Sequence, residues 1–189
     1  AYGLGLSGEV AVVIDIGGGS VEITRGTGPA IDLGRSFKVG VIRLTERFVK
    51  SDPISSRDER KLVKHIESEL DEHLKKITDA GFDRVVGTSG TILSLGAIAI
   101  GESERAAAVR NRRISAKQIH RVRKQLTSLN LEKRLEVPGM DPRRADLAVA
   151  GAILLDTILK QLNATDLSLC DLSLREGLIL DYIAKHRKE

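Results

Sequence analysis

Residues 10–24 read VAVVIDIGGGSVEIT, and this stretch gives the clearest indication of the fold. The run from Val10 to Ile14 is continuously apolar, which is typical of a strand that is covered on both faces. Three glycines interrupt the run, and residues 20–24 then alternate between polar and apolar side chains, as in a strand with one buried face. The pattern therefore predicts a strand, a tight turn and a returning strand, with Asp15 at the end of the first strand.

The regions beyond this turn alternate between strand and helix patterns. Residues 30–38 predict a third strand, and the period becomes helical from Val41. Ser56 and Glu59 match a capping box at the start of a long charged helix. The buried stripe predicted for this helix consists of Leu62, Ile66, Leu70, Leu74 and Ile77.

The second half of the chain continues the alternation. Apolar runs predict a short strand, a buried helix and a last strand, at residues 84–86, 92–100 and 167–170. Three further helices begin at capping patterns formed by Ser115 and Gln118, Asp141 and Pro142, and Ser173 and Glu176. The helix at Pro142 is predicted to run to Leu162. Because no repeat or linker separates these elements, the chain is predicted to form one α/β domain.

The composition is that of an ordinary soluble globular domain, with 189 residues, 41% hydrophobic, 30% charged and a net charge of +4. Five aromatic residues are too few for the stacking platforms that bind single-stranded nucleic acid. The single cysteine, Cys170, cannot form an internal disulfide, so a reducing, cytoplasmic location is expected. No run approaches the roughly 18 apolar residues of a membrane span, and no signal peptide pattern opens the chain, so no membrane partner is expected.

The glycine turn carries the clearest chemical signal. Gly17, Gly18, Gly19 and Ser20 offer backbone N–H groups that can converge on an anion such as phosphate. Asp15 would repel that phosphate unless a cation lay between them, so the pair implies Mg²⁺ or another divalent ion. Glu22 lies on the polar face of the returning strand and could hold the water of this ion or orient an attacking water. The alternative is a glycine-rich hairpin in which Asp15 caps its own turn.

Two other glycine motifs are excluded by the residues that follow. A dinucleotide-binding fingerprint requires glycine where Glu22 stands, and it opens a helix, whereas residues 20–24 alternate as a strand. A P-loop requires Gly-Lys-Ser or Gly-Lys-Thr, and neither occurs in the sequence.

A second turn, Gly87-Thr88-Ser89-Gly90-Thr91, joins a predicted strand to a predicted helix. The free N–H groups at the start of a helix, with the positive end of its dipole, suit a phosphate group. The alternative is an ordinary helix cap, with glycines that allow tight packing.

These motifs together resemble the exopolyphosphatase and guanosine pentaphosphate phosphatase (Ppx/GppA) family. The resemblance rests on five segments: DIGGGSVE at 15–22, GVIRLTERF at 40–48, GTSGT at 87–91, DPRRAD at 141–146 and LREG at 174–177. It covers nearly the whole chain and implies an actin-like, ribonuclease H-like α/β lobe with a mixed sheet of about five strands flanked by helices. In the family, two such lobes enclose the active site in the cleft between them.

The resemblance also implies roles for individual residues. It makes Asp15 and Glu22 the acidic residues beside the metal, and residues 17–20 the phosphate-binding turn. It places Gly90 and Thr91 in the loop that corresponds to the nucleotide-side motif of related kinases, and Arg143 in a stretch that reaches the polyanion. Ser89 is predicted to bind phosphate with Gly90 and Thr91 in the second turn. The implied cofactor is Mg²⁺ or another divalent cation, and the implied substrates are inorganic polyphosphate or guanosine pentaphosphate (pppGpp).

The resemblance is incomplete at the amino end. Family members carry a first phosphate loop and a catalytic glutamate in a lobe that precedes these motifs, whereas residues 1–9 contain only Glu9 as an acidic residue. Val21 stands where the family usually has threonine. We therefore expect residues 1–189 to form the second lobe, inactive alone and partnered by an N-terminal lobe, with a homodimer as a candidate assembly. The alternative is a non-catalytic phosphate or nucleotide sensor.

Residues 105–124 contain eight Lys or Arg and no Asp or Glu. This stretch is either a solvated surface or a track for a polyanion such as polyphosphate. Nucleic acid is a competing polyanion, but no nucleic-acid-binding motif supports it. The four histidines lie on charged helical segments without metal-ligand spacing and are expected at the surface.

Overall fold

The computed structural model describes residues 8–101, 109, 111–172 and 174–186. The strands are β1 (Val10–Ile16), β2 (Val21–Thr27), β3 (Ala30–Phe37), β4 (Arg84–Thr88), β5 (Arg113–Ser115) and β6 (Asp166–Leu169). The α-helices are α1 (Val41–Phe48), α2 (Ser56–Ala80), α3 (Gly90–Ile100), α4 (Ala116–Ser128), α5 (Leu131–Leu135), α6 (Ala148–Gln161) and α7 (Leu174–His186), and a 3-10 helix spans Pro142–Arg144.

The strands form one mixed sheet in the order β3-β2-β1-β4-β6-β5. β1, β2 and β3 pair antiparallel, β1, β4 and β6 run parallel, and β5 pairs antiparallel with β6 at the edge. The predicted α/β class with a mixed sheet is confirmed, with six strands where about five were predicted. The additional strand is β5, whose three residues are too few to show an alternating pattern.

The main core lies between one face of the sheet and the helices. Val12, Ile14 and Ile16 of β1 are fully buried on this face. The predicted stripe of α2 is buried as expected, and α6 is buried at every residue from Ala148 to Leu159. Because side chains alternate along a strand, Ala11, Val13 and Asp15 lie on the opposite face, where Ala11 joins only a small cluster with Val86 and Cys170.

Two helix boundaries differ in detail from the sequence expectation. Ser55, not Ser56, caps α2, because its Oγ accepts the N–H of Asp58 at 3.1 Å. The helix predicted from Pro142 to Leu162 is divided, with a 3-10 turn at Pro142–Arg144 and α6 beginning at Ala148. The capping box of Ser115 and Gln118 is confirmed, whereas Ser173 lies outside the described residues.

The expectation that all four histidines lie at the surface is wrong for His73. This residue is 7% exposed on the buried side of α2, with Nε2 3.0 Å from the carbonyl oxygen of Ile23 and its ring against Phe37. The stripe of α2 is wide enough to include position 73, between Leu70 and Leu74, which charge pattern alone does not reveal.

Arg123, from the basic stretch, links three helices. Its guanidinium donates to Glu59 of α2 at 2.9 Å and to Asp156 of α6 at 2.7 Å. Burial raises the pKa of Asp156, but hydrogen bonds from Arg123, Lys160 and His120 outweigh burial and hold this pKa below its ordinary value. This part of the basic stretch is therefore internal structure and not a solvated surface.

None of the described helices has the length and apolar character needed to cross a membrane.

Candidate phosphate and metal site

The sheet brings the two glycine-containing turns together. β1 and β4 are parallel neighbours in which Asp15 pairs with Thr88, so the turns that follow them emerge side by side. The hydroxyl of Ser89 donates to the carbonyl of Ile16 at 3.0 Å and accepts its N–H at 3.3 Å, which ties the second turn to the end of β1. The carboxyl ends of adjacent parallel strands are the usual position of a ligand in open α/β sheets.

The first turn is packed closely against the start of α1. A methyl group at Gly40 would lie 2.4 Å from the carbonyl oxygen of Gly18, and one at Gly18 would lie 2.8 Å from Cδ1 of Ile42. Neither Gly17, Gly18 nor Gly19 has φ in the left-handed region. Glycine is needed at positions 18 and 40 because the turn and α1 approach closely, and not because the turn requires an unusual φ.

The carbonyls of this turn all have donors on α1. Those of Gly17 and Gly18 accept the N–H groups of Val41 and Ile42 at 3.0 and 2.9 Å, and that of Gly19 accepts Nε of Arg43 at 2.9 Å. In a trans peptide the N–H points opposite to the preceding carbonyl. The N–H groups of residues 18, 19 and 20 therefore point away from α1, and none has a partner within the described part of the chain. Successive backbone N–H groups of this kind, without partners, are suited to binding an anion, and these three are termed the nest.

The two predicted acidic residues lie directly opposite each other on neighbouring strands. Asp15 of β1 pairs directly with Glu22 of β2. Ser20 and Ser36 each donate a 2.6 Å hydrogen bond to Oε1 of Glu22, which fixes the carboxylate and leaves Oε2 without a partner among the described residues. Ser20, predicted to bind phosphate, thus has its hydroxyl committed to Glu22, and only its N–H belongs to the nest.

The electrostatics of this pair favour a cation. Partial burial, and secondarily the negative charge of Glu22, raise the pKa of Asp15 above its ordinary value. No group of three or more His, Cys, Asp or Glu side chains that could hold a metal occurs among the residues the structure describes. Two adjacent carboxylates nevertheless fit Mg²⁺, which commonly takes one or two protein carboxylates and completes its shell with water and phosphate oxygens.

The second turn differs from an ordinary helix cap. Ser89, the residue before α3, has φ 86° and makes no side-chain hydrogen bond to the helix, because its hydroxyl is bound to Ile16. The first amides of α3 therefore lack a side-chain cap. Thr91 is 8% exposed and its methyl group packs against Gly151 of α6, so Thr91 has a packing role that the motif did not indicate.

Arg144, and not the predicted Arg143, lies beside this second turn. A methyl group at Gly90 would be 2.3 Å from Nη2 of Arg144, so the guanidinium covers the first residue of α3. The side chain of Arg143 is 89% exposed and binds Asp141. Nε of Arg144 also lies 3.5 Å from Oδ2 of Asp141, and this guanidinium beside the positive end of α3 suits a phosphate group.

Arg43 and Arg144 are the two site residues that the sequence did not single out. Arg43 lies on α1 beside Gly19, and Arg144 follows the residue that was predicted. The DPRRAD segment indicates that an arginine reaches the site. Because its two arginines are adjacent on an irregular segment, the sequence alone does not show which of them does so.

Residues 1–186 match the family model described as the Ppx/GppA phosphatase family. The chain belongs to the Ppx/GppA phosphatase family. This match confirms the resemblance inferred from the motifs of the two turns.

Among curated Ppx/GppA relatives, exopolyphosphatase 1 of Mycobacterium leprae is 30% identical over 178 residues, covering 93% of this chain and 52% of that protein. The guanosine-5'-triphosphate,3'-diphosphate pyrophosphatase of Vibrio atlanticus is 29% identical over 178 residues, covering 94% of this chain and 35% of that protein. The chain thus spans about half the length, or less, of the curated relatives it matches.

The solved structures agree with this assignment. The Aquifex aeolicus member of the Ppx/GppA family superposes with a TM-score of 0.89 at 26% identity, over 100% of this chain and 60% of that one. The actin-like lobe implied by the motifs is therefore confirmed as the fold of this Ppx/GppA chain.

Proposed function

We propose that this chain is the phosphate-binding and metal-binding lobe of a phosphoanhydride hydrolase, which becomes active when a preceding lobe completes the cleft. The observation that carries the proposal is the arrangement at the end of β1. Three consecutive N–H groups, without partners among the described residues, lie next to two paired carboxylates that repel each other. An anion alone would satisfy the first group and a cation alone the second, whereas a metal-bound phosphate satisfies both.

Binding of a terminal phosphoryl group would use both turns. The N–H groups of residues 18–20 would donate to its oxygens, and the first amides of α3 with Arg144 would hold a neighbouring phosphate. Donors that are already oriented stabilise charge that develops in a transition state without having to reorganise. The carbonyl bonds to α1 provide that orientation here.

The carboxylates would hold the cation and position water. Asp15 and Glu22 would be the protein ligands of Mg²⁺, which when bound neutralises charge on the phosphate oxygens. Oε1 of Glu22 is occupied by Ser20 and Ser36, so Oε2 remains to accept a hydrogen bond from water. We expect the attack of water on the terminal phosphorus to need the catalytic glutamate that the family resemblance assigns to the other lobe.

The substrate class follows from the chemistry that the relatives' names share. Exopolyphosphatase and guanosine-5'-triphosphate,3'-diphosphate pyrophosphatase both name substrates with phosphoanhydride bonds. We therefore propose inorganic polyphosphate or pppGpp as the substrate of the completed protein, with a cytoplasmic location as expected from its single cysteine.

Phosphate release in the presence of Mg²⁺ tests this proposal. The chain alone should release phosphate from polyphosphate or pppGpp very slowly, whereas a protein extended through the preceding lobe should turn over. In the extended protein, Asp15→Asn should reduce kcat by about a hundredfold or more while changing KM little, because it removes the charge that holds the cation and keeps the side-chain size.

Asp79→Asn is the matched control, because Asp79 is an exposed carboxylate on α2 that pairs with Lys75. Family-like turnover by the chain alone would contradict the half-site proposal. Binding without turnover by the extended protein would instead identify a phosphate or nucleotide sensor.

A further inference from the structure

A groove of about 930 Å³ lies between α4 and the carboxyl end of α6. It is remote from the two turns described above. Those turns follow the carboxyl ends of β1 and β4, whereas Asn163 and Ala164 of the groove precede the amino end of β6, which runs parallel to β4. The groove therefore lies at the opposite end of the parallel strands from the two turns, and it is a separate site.

The rim of this groove carries three cations, two of which have no charged partner among the described residues. Lys117 and Arg121 lie one turn apart on α4, are exposed, and have no charged partner within the described part of the chain. Lys160 contributes a third cation from α6. This accounts for a part of the basic stretch that the internal links of Arg123 leave unexplained.

The one carboxylate in the lining does not neutralise the rim. Asp156 has a side chain that is 3% exposed, and it already contacts Arg123 at 2.7 Å, Lys160 at 3.0 Å and His120 at 3.2 Å. Its oxygens are therefore committed to groups around and beneath the groove. Lys117 and Arg121 remain uncompensated, so the groove attracts anions.

The floor of the groove has a different chemistry. Ala116, Leu159 and Ala164 line it with aliphatic carbon. Asn163, just after α6, also lines the groove, and its side chain is exposed. Its backbone has φ 53°. An aliphatic floor, a cationic rim and one amide together match a ligand that has an apolar planar part, hydrogen-bonding edges and phosphates.

We propose that this groove binds a nucleoside phosphate. The phosphates would contact Lys117 and Arg121, and the base would lie on the aliphatic floor within reach of Asn163. The volume lies within the roughly 300–1,000 Å³ typical of small-molecule sites. An inorganic polyphosphate chain would leave the aliphatic floor in contact with water, so the lining favours the nucleoside. The inference does not depend on the proposed hydrolase function, since none of these residues belongs to the two turns.

Titration of the chain with guanosine 5′-(β,γ-imido)triphosphate, followed by NMR and calorimetry, tests the proposal. Amide shifts should move at residues 117–121 and 163–164, separately from any at residues 18–20. Lys117→Gln combined with Arg121→Gln should weaken binding at the groove by about tenfold, equivalent to about 1.4 kcal/mol. Arg60→Gln combined with Lys64→Gln is the matched control, because these exposed cations have the same spacing on α2; it should leave the affinity unchanged.

Two further experiments distinguish binding at the groove from binding at the turns, and the contribution of the base from that of the phosphates. Asp15→Asn should leave the shifts at residues 117–121 unchanged. Tripolyphosphate should bind the groove more weakly than the nucleotide, because it has no base for the floor. The proposal is overturned if residues 117–121 do not shift, if the double variant binds as wild type does, or if tripolyphosphate binds the groove as tightly as the nucleotide.

Discussion

Gly40 offers a direct test of how the phosphate nest is built. It has φ −66° and ψ 159°, a conformation open to any residue, so Gly40→Ala carries no backbone penalty. The added methyl group, however, would lie 2.4 Å from Gly18 O, Gly19 C and Ser20 N, all of which are backbone atoms. Since no side chain can move aside, the turn and the start of α1 must separate.

The magnitude follows from the contacts that would be lost. Overpacking a filled site typically costs about 1–3 kcal/mol, and backbone contacts place this case at the upper end. Separation also weakens the two hydrogen bonds from Val41 and Ile42 to the turn, each worth about 1 kcal/mol. We therefore expect a loss of roughly 3–4 kcal/mol in the free energy of unfolding, and a fall of about 10 °C in Tm for a chain of this size.

Two neighbouring glycines provide an internal scale for thermal and urea unfolding. A methyl group at Gly18 meets only the flexible end of Ile42, so Gly18→Ala should cost about 1 kcal/mol. One at Gly19 meets nothing closer than 4.0 Å, so Gly19→Ala should leave Tm nearly unchanged. If Gly40→Ala melted within about 2 °C of wild type, the close packing of turn and helix would not determine the nest.

Three further predictions concern charged side chains. Without Mg²⁺ at neutral pH, Asp15→Asn should raise Tm, because the pKa of Asp15 is raised in the folded state and its ionisation therefore opposes folding. Calorimetry should show that this gain in Tm vanishes below pH 3.8, where Asp15 is protonated in both states. Mg²⁺ should stabilise wild type but not the variant. Asp156→Asn should cost about 3 kcal/mol in urea unfolding by leaving Arg123 without its buried partner. Because the pKa of Asp156 is lowered in the folded state, the difference in free energy of unfolding between wild type and variant should be largest above pH 3.8. It should shrink as the pH falls through the folded-state pKa, and a difference that did not change with pH would contradict the ion-pair account. Arg144→Gln should weaken phosphate binding by about tenfold in NMR titration, whereas Arg143→Gln should not; equal effects would refute the placement of Arg144 at α3.

The sequence contained enough information for five of the six strands and for the acidic pair. An apolar run at residues 10–14 and an alternating run at residues 20–24 flank a short turn, which places Asp15 and Glu22 close together, and the structure pairs them directly. Local patterns of this kind are set by neighbours in the chain, and they also specified the buried stripe of α2 and the cap at Ser115.

The rest depends on contacts between distant residues. Arg144 lies against Gly90 only because α6 packs beside α3, and His73 is buried only because α2 lies across β2. Nor could the sequence show why glycine occupies position 40, since the atoms that exclude a methyl group belong to residues 18–20. Pattern reasoning located the turns but could not identify the cations beside them.

The hydrogen bonds from α1 to the glycine turn also determine which ions the turn can accept. Glycine peptides can rotate as units, and a rotation here would replace inward N–H groups with carbonyl oxygens, which coordinate cations. Val41, Ile42 and Arg43 hold all three carbonyls on the helix side, so this exchange would break three bonds at once. The first residues of α1 therefore fix the polarity of the turn, so that it offers N–H groups to negative charge and leaves a metal to the carboxylates.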